Sequence, residues 1–429
     1  MRPLVSRLLV LRSFSGMFSC LVDEELMLIR DRMDTGSIGP ITTMSSFKDT
    51  FGDFSATIHG VIVSTILIPG ALTALVAGAL AHRFGQVRLI AIGSVIFGIG
   101  AAIECSAPYL GVFIFGRLIK GMGEGLFLSN VYVQVSEMSP SRVRGIMTAL
   151  PQFLITTGIV TGYFTCYGTS RLGDSSVTWR LPLAIVAFLG VLLSMVAFIV
   201  PPSPRWLLSK GRIDEARVVC RQLGIDEVEE KELLAQNGDT PLDGETTLWQ
   251  DIQHTFKDFR CAFSAPYRNR TAFACFLMGM QQFSGIDGVL YYAPILFTQA
   301  GLSGEKASFL ASGVSAVVIL AATLPATIFA DRWGRRMQSI LGGVLIVGLM
   351  VIMGSLYAAG QVHPEYGPGR WVVIVCIYLF AIAFSFTWAI GFRTWVVESM
   401  PRRTRSSASS LAQSSNWVSQ ALALRNVIY

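Results

Sequence analysis

Ten stretches of predominantly apolar residues recur along this chain, near 57–80, 89–107, 110–135, 146–168, 180–200, 271–298, 307–330, 338–359, 371–397 and 406–424. A helix needs roughly 20 such residues to cross the hydrocarbon layer of a bilayer, because each residue advances it by only ~1.5 Å. Hydrophobic residues fill 52% of the 429 positions and charged residues only 14%, against ~25% charged in a soluble domain. A water-soluble fold of this length would leave much of that apolar surface in water. The runs therefore predict an all-α polytopic membrane protein, and the 41 glycines fit it, since small residues let membrane helices approach closely.

Several function classes fall away on the same grounds. The net charge of +6 is no nucleic-acid footprint, because Lys and Arg gather at the ends of the apolar runs, where they fix topology. The seven cysteines (20, 105, 166, 220, 261, 275 and 376) show neither zinc-ligand nor redox spacing. The four histidines (59, 82, 254 and 363) do not cluster. With no nucleotide-binding motif and no catalytic constellation, neither an enzyme, an ATP-driven pump nor a cofactor is expected. Ten basic residues occupy the loops holding Arg83 and Arg88, Arg142 and Arg144, Arg332, Arg335 and Arg336, and Arg402, Arg403 and Arg405, against five in the alternate loops. The first set should face the cytoplasm.

The longest polar stretch, 201–270, carries Leu and Val at helical spacing among charges and predicts short amphipathic cytoplasmic helices. It separates a transmembrane half over 1–200 from a second half over 271–429. The halves are related. HRFGQVR at 82–88 returns as DRWGRRM at 331–337, and EMSPSRVR at 137–144 returns as ESMPRRTR at 398–405. Two matched motifs in the same order indicate duplication, a mark of secondary transporters with a substrate site between repeats at mid-membrane. Six spans per half would need one before residue 57 and another after 429. Residues 1–33 are a poor candidate, interrupted by Arg12, Asp23, Glu24 and Glu25, since each central charge costs about 2.5–3.5 kcal/mol on insertion. The first 22 residues are basic and acid-poor like a mitochondrial presequence, which does not normally precede this architecture. The expectation is a weak or aberrant first helix with an outer loop over 1–56, a missing last helix, and about 10–11 spans, as in a gene model clipped at both ends.

The motifs GRLIKGMGEG at 116–125, EMSPSRVRG, PPSPRWLL at 201–208, QQFSGIDGVLYYAP at 281–294, DRWGRR at 331–336 and SNW at 415–417 carry a resemblance. Over about Asp34 to Asn416 the chain resembles the sugar-porter branch of the major facilitator superfamily, with fungal-type hexose and monosaccharide carriers nearest in flavour. The resemblance implies two pseudo-symmetric six-helix halves in the plasma membrane that close over one sugar by alternating access. It implies that Gln281 and Gln282 bind sugar, that Tyr291 and Tyr292 gate the outside, and that Gln152 and Asn416 contribute from other helices. It also sets Arg117 opposite Asp34, as in proton-coupled relatives.

The residues support these roles on their own chemistry. Gln281, Gln282 and Asp287 sit in an apolar run, and on an uninterrupted helix they point broadly to one side. Amides offer both donors and acceptors, as sugar hydroxyls do; interhelical polar glue is the bland alternative. Asp287 replaces the usual Asn, and Ile159 stands where many relatives carry a second Gln. Arg117 lies in an apolar run, where a lone cation is expensive and a partner or wet cavity is expected. Two readings of Asp34 stand: it pairs with Arg117 and titrates to bias the carrier, or it is an exposed loop residue because its helix is missing. In DRWGRR, Gly334 is expected to permit a conformation other residues resist. Asp331, Arg332, Arg335 and Arg336 would then latch helices at the cytoplasmic face, as would Glu137 with Arg144 and Glu398 with Arg405. His82 and Gln86 weaken the first copy.

Relatives often read Gly-Pro-x-x-Trp with Glu five residues beyond the Trp. Here Trp395 precedes Glu398 by only three and the Pro is absent, so Trp395, Trp388 or neither stacks on the sugar. Arg393 is unexpected there. The sequence thus predicts carriage of a monosaccharide, by proton symport if Asp34 is seated. Facilitated diffusion of a polyol, inositol or quinate is the alternative, as is a sugar sensor or an inactive fragment. The expected partners are a small sugar, protons and the lipid bilayer, the expected working unit is a monomer, and no nucleic acid or metal is expected.

Overall fold

The computed structural model describes residues 26–139, 144–173, 175–197, 200–225, 227–237, 248–291, 297, 305–329, 334–363, 367–400 and 405–426. Among them there is helix and no strand. The first half comprises α1 (26–43), a short outer helix α2 (Ser45–Phe51), α3 (Ala56–Ser64), α4 (Leu67–Phe84), α5 (Gln86–Ser106), α6 (Leu110–Met138), α7 (Arg144–Thr169) and α8 (Val177–Ala197). The polar stretch forms α9 (Pro204–Ser209), α10 (Ile213–Gln222), α11 (Glu227–Asn237) and α12 (Leu248–Ala262), as its helical spacing predicts. The second half comprises α13 (Arg268–Phe283), α14 (Ile286–Tyr291), α15 (Glu305–Phe329), α16 (Arg335–Ala358), α17 (Gly369–Phe386), α18 (Trp388–Ser399) and α19 (Arg405–Asn426). Counting α3 with α4, α13 with α14 and α17 with α18 as single interrupted spans leaves six spans before the polar stretch and five after it.

Helix α1 does form, although hydropathy argued for a weak one. Its Arg30, Asp31 and Asp34 are at most 2% exposed. The reading of Asp34 as an exposed loop residue is therefore corrected. The charges sit against other helices, where partners offset the insertion cost that a lone charge in lipid would meet. Among the described residues five spans are long and apolar enough to cross a membrane on hydropathy alone. Helices such as α6 carry charge on the face turned towards the protein.

Two interruptions matter for the site. The 271–298 run is broken at Gly285, whose φ of +86° lies in the left-handed region and is unfavourable for residues with a Cβ. The angular count from Gln282 to Asp287 along one continuous helix is therefore corrected. The 371–397 run is interrupted at Thr387 (φ −118°, ψ −72°), whose hydroxyl turns back to donate to the Ala383 carbonyl at 2.6 Å.

The glycine expectation for the cytoplasmic turns is also corrected. Gly334 has φ −58° and ψ 134°, ordinary extended backbone that any residue adopts, and a Cβ there would meet open space. Its counterpart Gly85, in HRFGQVR, is the constrained one, with φ +88° and the Trp206 ring 3.3 Å from a Cβ position.

Within the first half, α5 packs most extensively on α6 and then on α8. An outer aromatic cluster closes that half: Phe47 of α2 meets Trp179 of α8 and Phe113 of α6, each with ring centroids 5.4 Å apart. The two halves meet along paired seams, α4 on α19 and α7 on α15. Exchanging the halves turns one seam into the other, as a duplication requires.

Candidate functional site

One candidate site lies on the second half. Gln281 and Gln282, at the end of α13, are both buried and reach different partners. Gln281 donates to the Trp388 carbonyl at 2.9 Å, and Gln282 donates to the Asn416 side-chain oxygen at 3.0 Å. Asn416 of α19 in turn donates to the Met278 carbonyl at 2.9 Å and to the Gln281 side-chain oxygen at 3.2 Å. Three helices thus hold one amide cluster in a fixed orientation. Buried polar atoms are nearly always hydrogen-bonded, yet the side-chain oxygen of Gln282, Oδ2 of Asp287 and the side-chain oxygen of Gln152 have no such partner among the described residues. These acceptors suit hydroxyl donors.

The structure separates the two tryptophans. Trp388 stands beside Gln281, its indole nitrogen donating to the Ser339 carbonyl at 3.0 Å and its ring stacking on Phe392 at 4.8 Å. Trp395 packs edge-on against Phe273, ring centroids 5.2 Å apart, and Phe273 is 48% exposed on the outer face of α13. The structure thus does not place Trp395 with the amide cluster. Arg393 crosses between halves: Nη1 donates to the Tyr132 hydroxyl of α6, and the guanidinium stands 5.4 Å from that ring's centroid. Asp287 lies within electrostatic reach of Arg393 and Arg32. The side chain of Tyr291 and all of Tyr292 lie outside the described residues.

A second cluster lies inside the first half. Asp34 accepts from Lys120 Nζ at 2.8 Å, while Arg117 Nη1 stands 4.0 Å away and Nη2 donates to the Val63 carbonyl at 3.2 Å. Lys120 also bonds Glu104 Oε2. Asp34, Glu104, Arg117 and Lys120 are all at most 2% exposed. The expected Asp34–Arg117 pair is therefore a four-charge cluster whose direct contact to Asp34 comes from Lys120. Sequence reasoning missed Lys120 and Glu104. The signal was present in GRLIKGMGEG, where Arg117, Lys120 and Glu124 follow i, i+3, i+7 spacing along one face of α6. Glu124 pairs with Arg32 at 3.2 Å. Backbone proximity makes the cluster possible: a Cβ on Gly100 would lie 2.6 Å from the Lys120 nitrogen, and one on Gly116 would lie 2.8 Å from Glu104 Cγ.

Where α5 begins and α6 ends, Glu137 Oε2 accepts from Gln86 at 3.0 Å and from Ser203 at 2.6 Å, while the Trp206 indole donates to the His82 carbonyl at 3.0 Å. These bonds tie α5, α6 and the polar linker through neutral donors, with Gln86 as one of them. The side chains of Arg144, Arg335, Glu398 and Arg405, with all of Asp331 and Arg332, lie outside the described residues. Arg336 is exposed.

Paired seams, a polar cluster between helices and a buried charge cluster together define a two-half membrane carrier of the major facilitator type. Residues 31–425 match the family described as "Sugar (and other) transporter", and the chain belongs to that family. It is similar to the glucose transporter GlcP of Staphylococcus epidermidis, 31% identical over 360 residues that make up 83% of this chain and 76% of that protein. It is also similar to the galactose-proton symporter of Escherichia coli K12, 26% identical over 84% of this chain and 74% of that one. In fold it matches the partially occluded, inward-open xylose transporter XylE of E. coli, with a TM-score of 0.73 at 23% identity over 96% of this chain and 91% of that one.

Proposed function

We propose that this chain carries a monosaccharide across the membrane by alternating access, driven by symport with protons. The observation that carries this reading is the interlocked Gln281–Gln282–Asn416 cluster, in which the Gln282 side-chain oxygen is left free to accept from a sugar hydroxyl. Gln152 adds an acceptor from the first half, so a sugar bound to both would draw the halves together. Trp388, beside Gln281, is the aromatic in position to meet the apolar face of a pyranose. Asp34 is buried against Lys120 and Arg117, where protonation would loosen its hold on both cations and bias the carrier between states. The curated relatives include a proton symporter, in keeping with this coupling.

Facilitated diffusion is the second reading, and one observation favours it: Asp34 already has counter-charges in Lys120 at 2.8 Å and Arg117 at 4.0 Å. Uptake of radiolabelled hexoses and pentoses in transporter-null cells, at two external pH values, decides between them. Saturable uptake that rises at acid pH supports symport. Saturable uptake indifferent to pH supports the uniporter, and no uptake from protein that reaches the membrane sinks both.

A further inference from the structure

We propose that Glu104, rather than Asp34, takes up and gives up the coupling proton, and that Lys120 conveys its state to Asp34. This rests on the proton-coupled reading above. The four charges balance when both carboxylates are ionised, but their contacts are unequal. Asp34 has Lys120 at 2.8 Å and Arg117 at 4.0 Å. Glu104 shares only Lys120, through Oε2, and its Oε1 is buried with no hydrogen-bond partner among the described residues. A bare carboxylate oxygen in a dry interior is where an added proton removes the least compensated charge.

The cations point the same way. Nε and Nη1 of Arg117 have no hydrogen bond among the described residues, and Asp34, at 4.0 Å, is the carboxylate closest to it, so protonating Asp34 would remove its nearest counter-charge and leave it only the more distant Glu104. Protonating Glu104 leaves an ionised Asp34 beside both cations, and Lys120 swings wholly onto a contact already made. Arg30, Asp31 and Glu124 also act on Asp34 electrostatically, from beyond contact distance. On α1, Arg30 lies over the Phe97 ring at 4.4 Å, and Arg32 pairs with Asp31 and with Glu124, each at 3.2 Å. On α7 Cys166 lies within electrostatic reach of Asp34 and its Sγ bonds the Ser37 carbonyl, and from α8 Arg180 donates to the Ala107 carbonyl. Glu104 also lies two residues before Ser106, where α5 ends on the side opposite the arginine-rich loops, the side from which an external proton arrives. The proton comes from water to Oε1 and returns to water, and no other bond forms or breaks.

The test uses the full chain in lipid vesicles. Infrared difference spectra between about pH 8 and about pH 5 should show a protonated-carboxyl band that is lost in Glu104→Gln and kept in Asp34→Asn. In uptake assays Glu104→Gln should lose the pH dependence, while Asp34→Asn lowers the rate and keeps the dependence. A band lost in Asp34→Asn and kept in Glu104→Gln overturns the proposal. Acid-stimulated uptake that survives in Glu104→Gln also overturns it and leaves symport standing, whereas wild-type uptake indifferent to pH overturns symport and with it the coupling role. Should Glu104→Gln not fold, Glu104→Asp keeps the charge, and the band must then move in frequency; an unmoved band counts against Glu104.

Discussion

Asn416 occupies the hub of the amide cluster, donating to Met278 and Gln281 while accepting from Gln282. Replacing it with Ala takes a partner from the Gln282 amide nitrogen, the Gln281 side-chain oxygen and the Met278 carbonyl, and a buried polar group left unpaired costs about 1–3 kcal/mol. Asn416→Ala should therefore raise KM for sugar uptake by about tenfold or more in transport assays on protein of equal surface abundance. The tryptophans give an opposed pair: Trp388→Ala should raise KM, and Trp395→Ala, which disturbs a contact with half-exposed Phe273, should leave KM close to that of the parent. Outside the membrane, burial first and then Glu230 and Glu229 push the Cys220 thiol up to about 11. A raised thiol leaves only about one part in 10⁴ as reactive thiolate near neutral pH. Maleimide labelling of folded protein should be slow at neutral pH and accelerate as pH rises towards that value. At this scale the amides were readable from sequence, because polar residues in an apolar run stand out. Glu104 was not, since a single acid near a helix end looks like a loop boundary until Lys120 is seen to reach it.

Between neighbouring elements, backbone conformation decides more than motif identity. HRFGQVR and DRWGRRM look equivalent, yet Gly85 sits at φ +88° with Trp206 above it and Gly334 does not. A Cβ in the left-handed region costs roughly 1–2 kcal/mol, and here it would also press on a ring that anchors the polar linker. Gly85→Ala should lower the thermal midpoint of the purified protein, and Gly334→Ala should leave it unchanged; equal effects would contradict the structure. Helix α1 teaches the complementary lesson. Its charges depress hydropathy, and only the presence of α5 and α6 beside it turns those charges into buried partners. The breaks at Gly285 and Thr387 were likewise hidden in continuous apolar runs, because hydropathy measures transfer to lipid and is blind to dihedral angles.

Across the whole molecule, the seams α4–α19 and α7–α15 join the two halves, and the proposed mechanism requires one of them to open. The Ser414 hydroxyl donates to the Ala71 carbonyl at 3.0 Å, and a Cβ on Gly70 would lie 2.8 Å from the Trp417 ring. Cysteines at these facing positions, Ala71→Cys with Ser414→Cys, should cross-link on oxidation and arrest uptake, with reductant restoring it. Uptake that persists through complete cross-linking would show that this seam does not open.

The sequence by itself determined that the chain is helical, crosses a membrane many times and is built from two related halves, because hydropathy and repeated motifs are one-dimensional quantities. It also singled out the amides Gln281, Gln282 and Asn416, which the structure gathers into one cluster. Tertiary structure decided which charges are partners: Lys120 stands between Asp34 and Glu104 only because glycines let α5 and α6 touch, and Arg393 meets Tyr132 only where the halves meet. Pairing depends on distances of a few ångströms between helices far apart in the chain, and in a low-dielectric interior those distances set which ion is stable and which must take a proton.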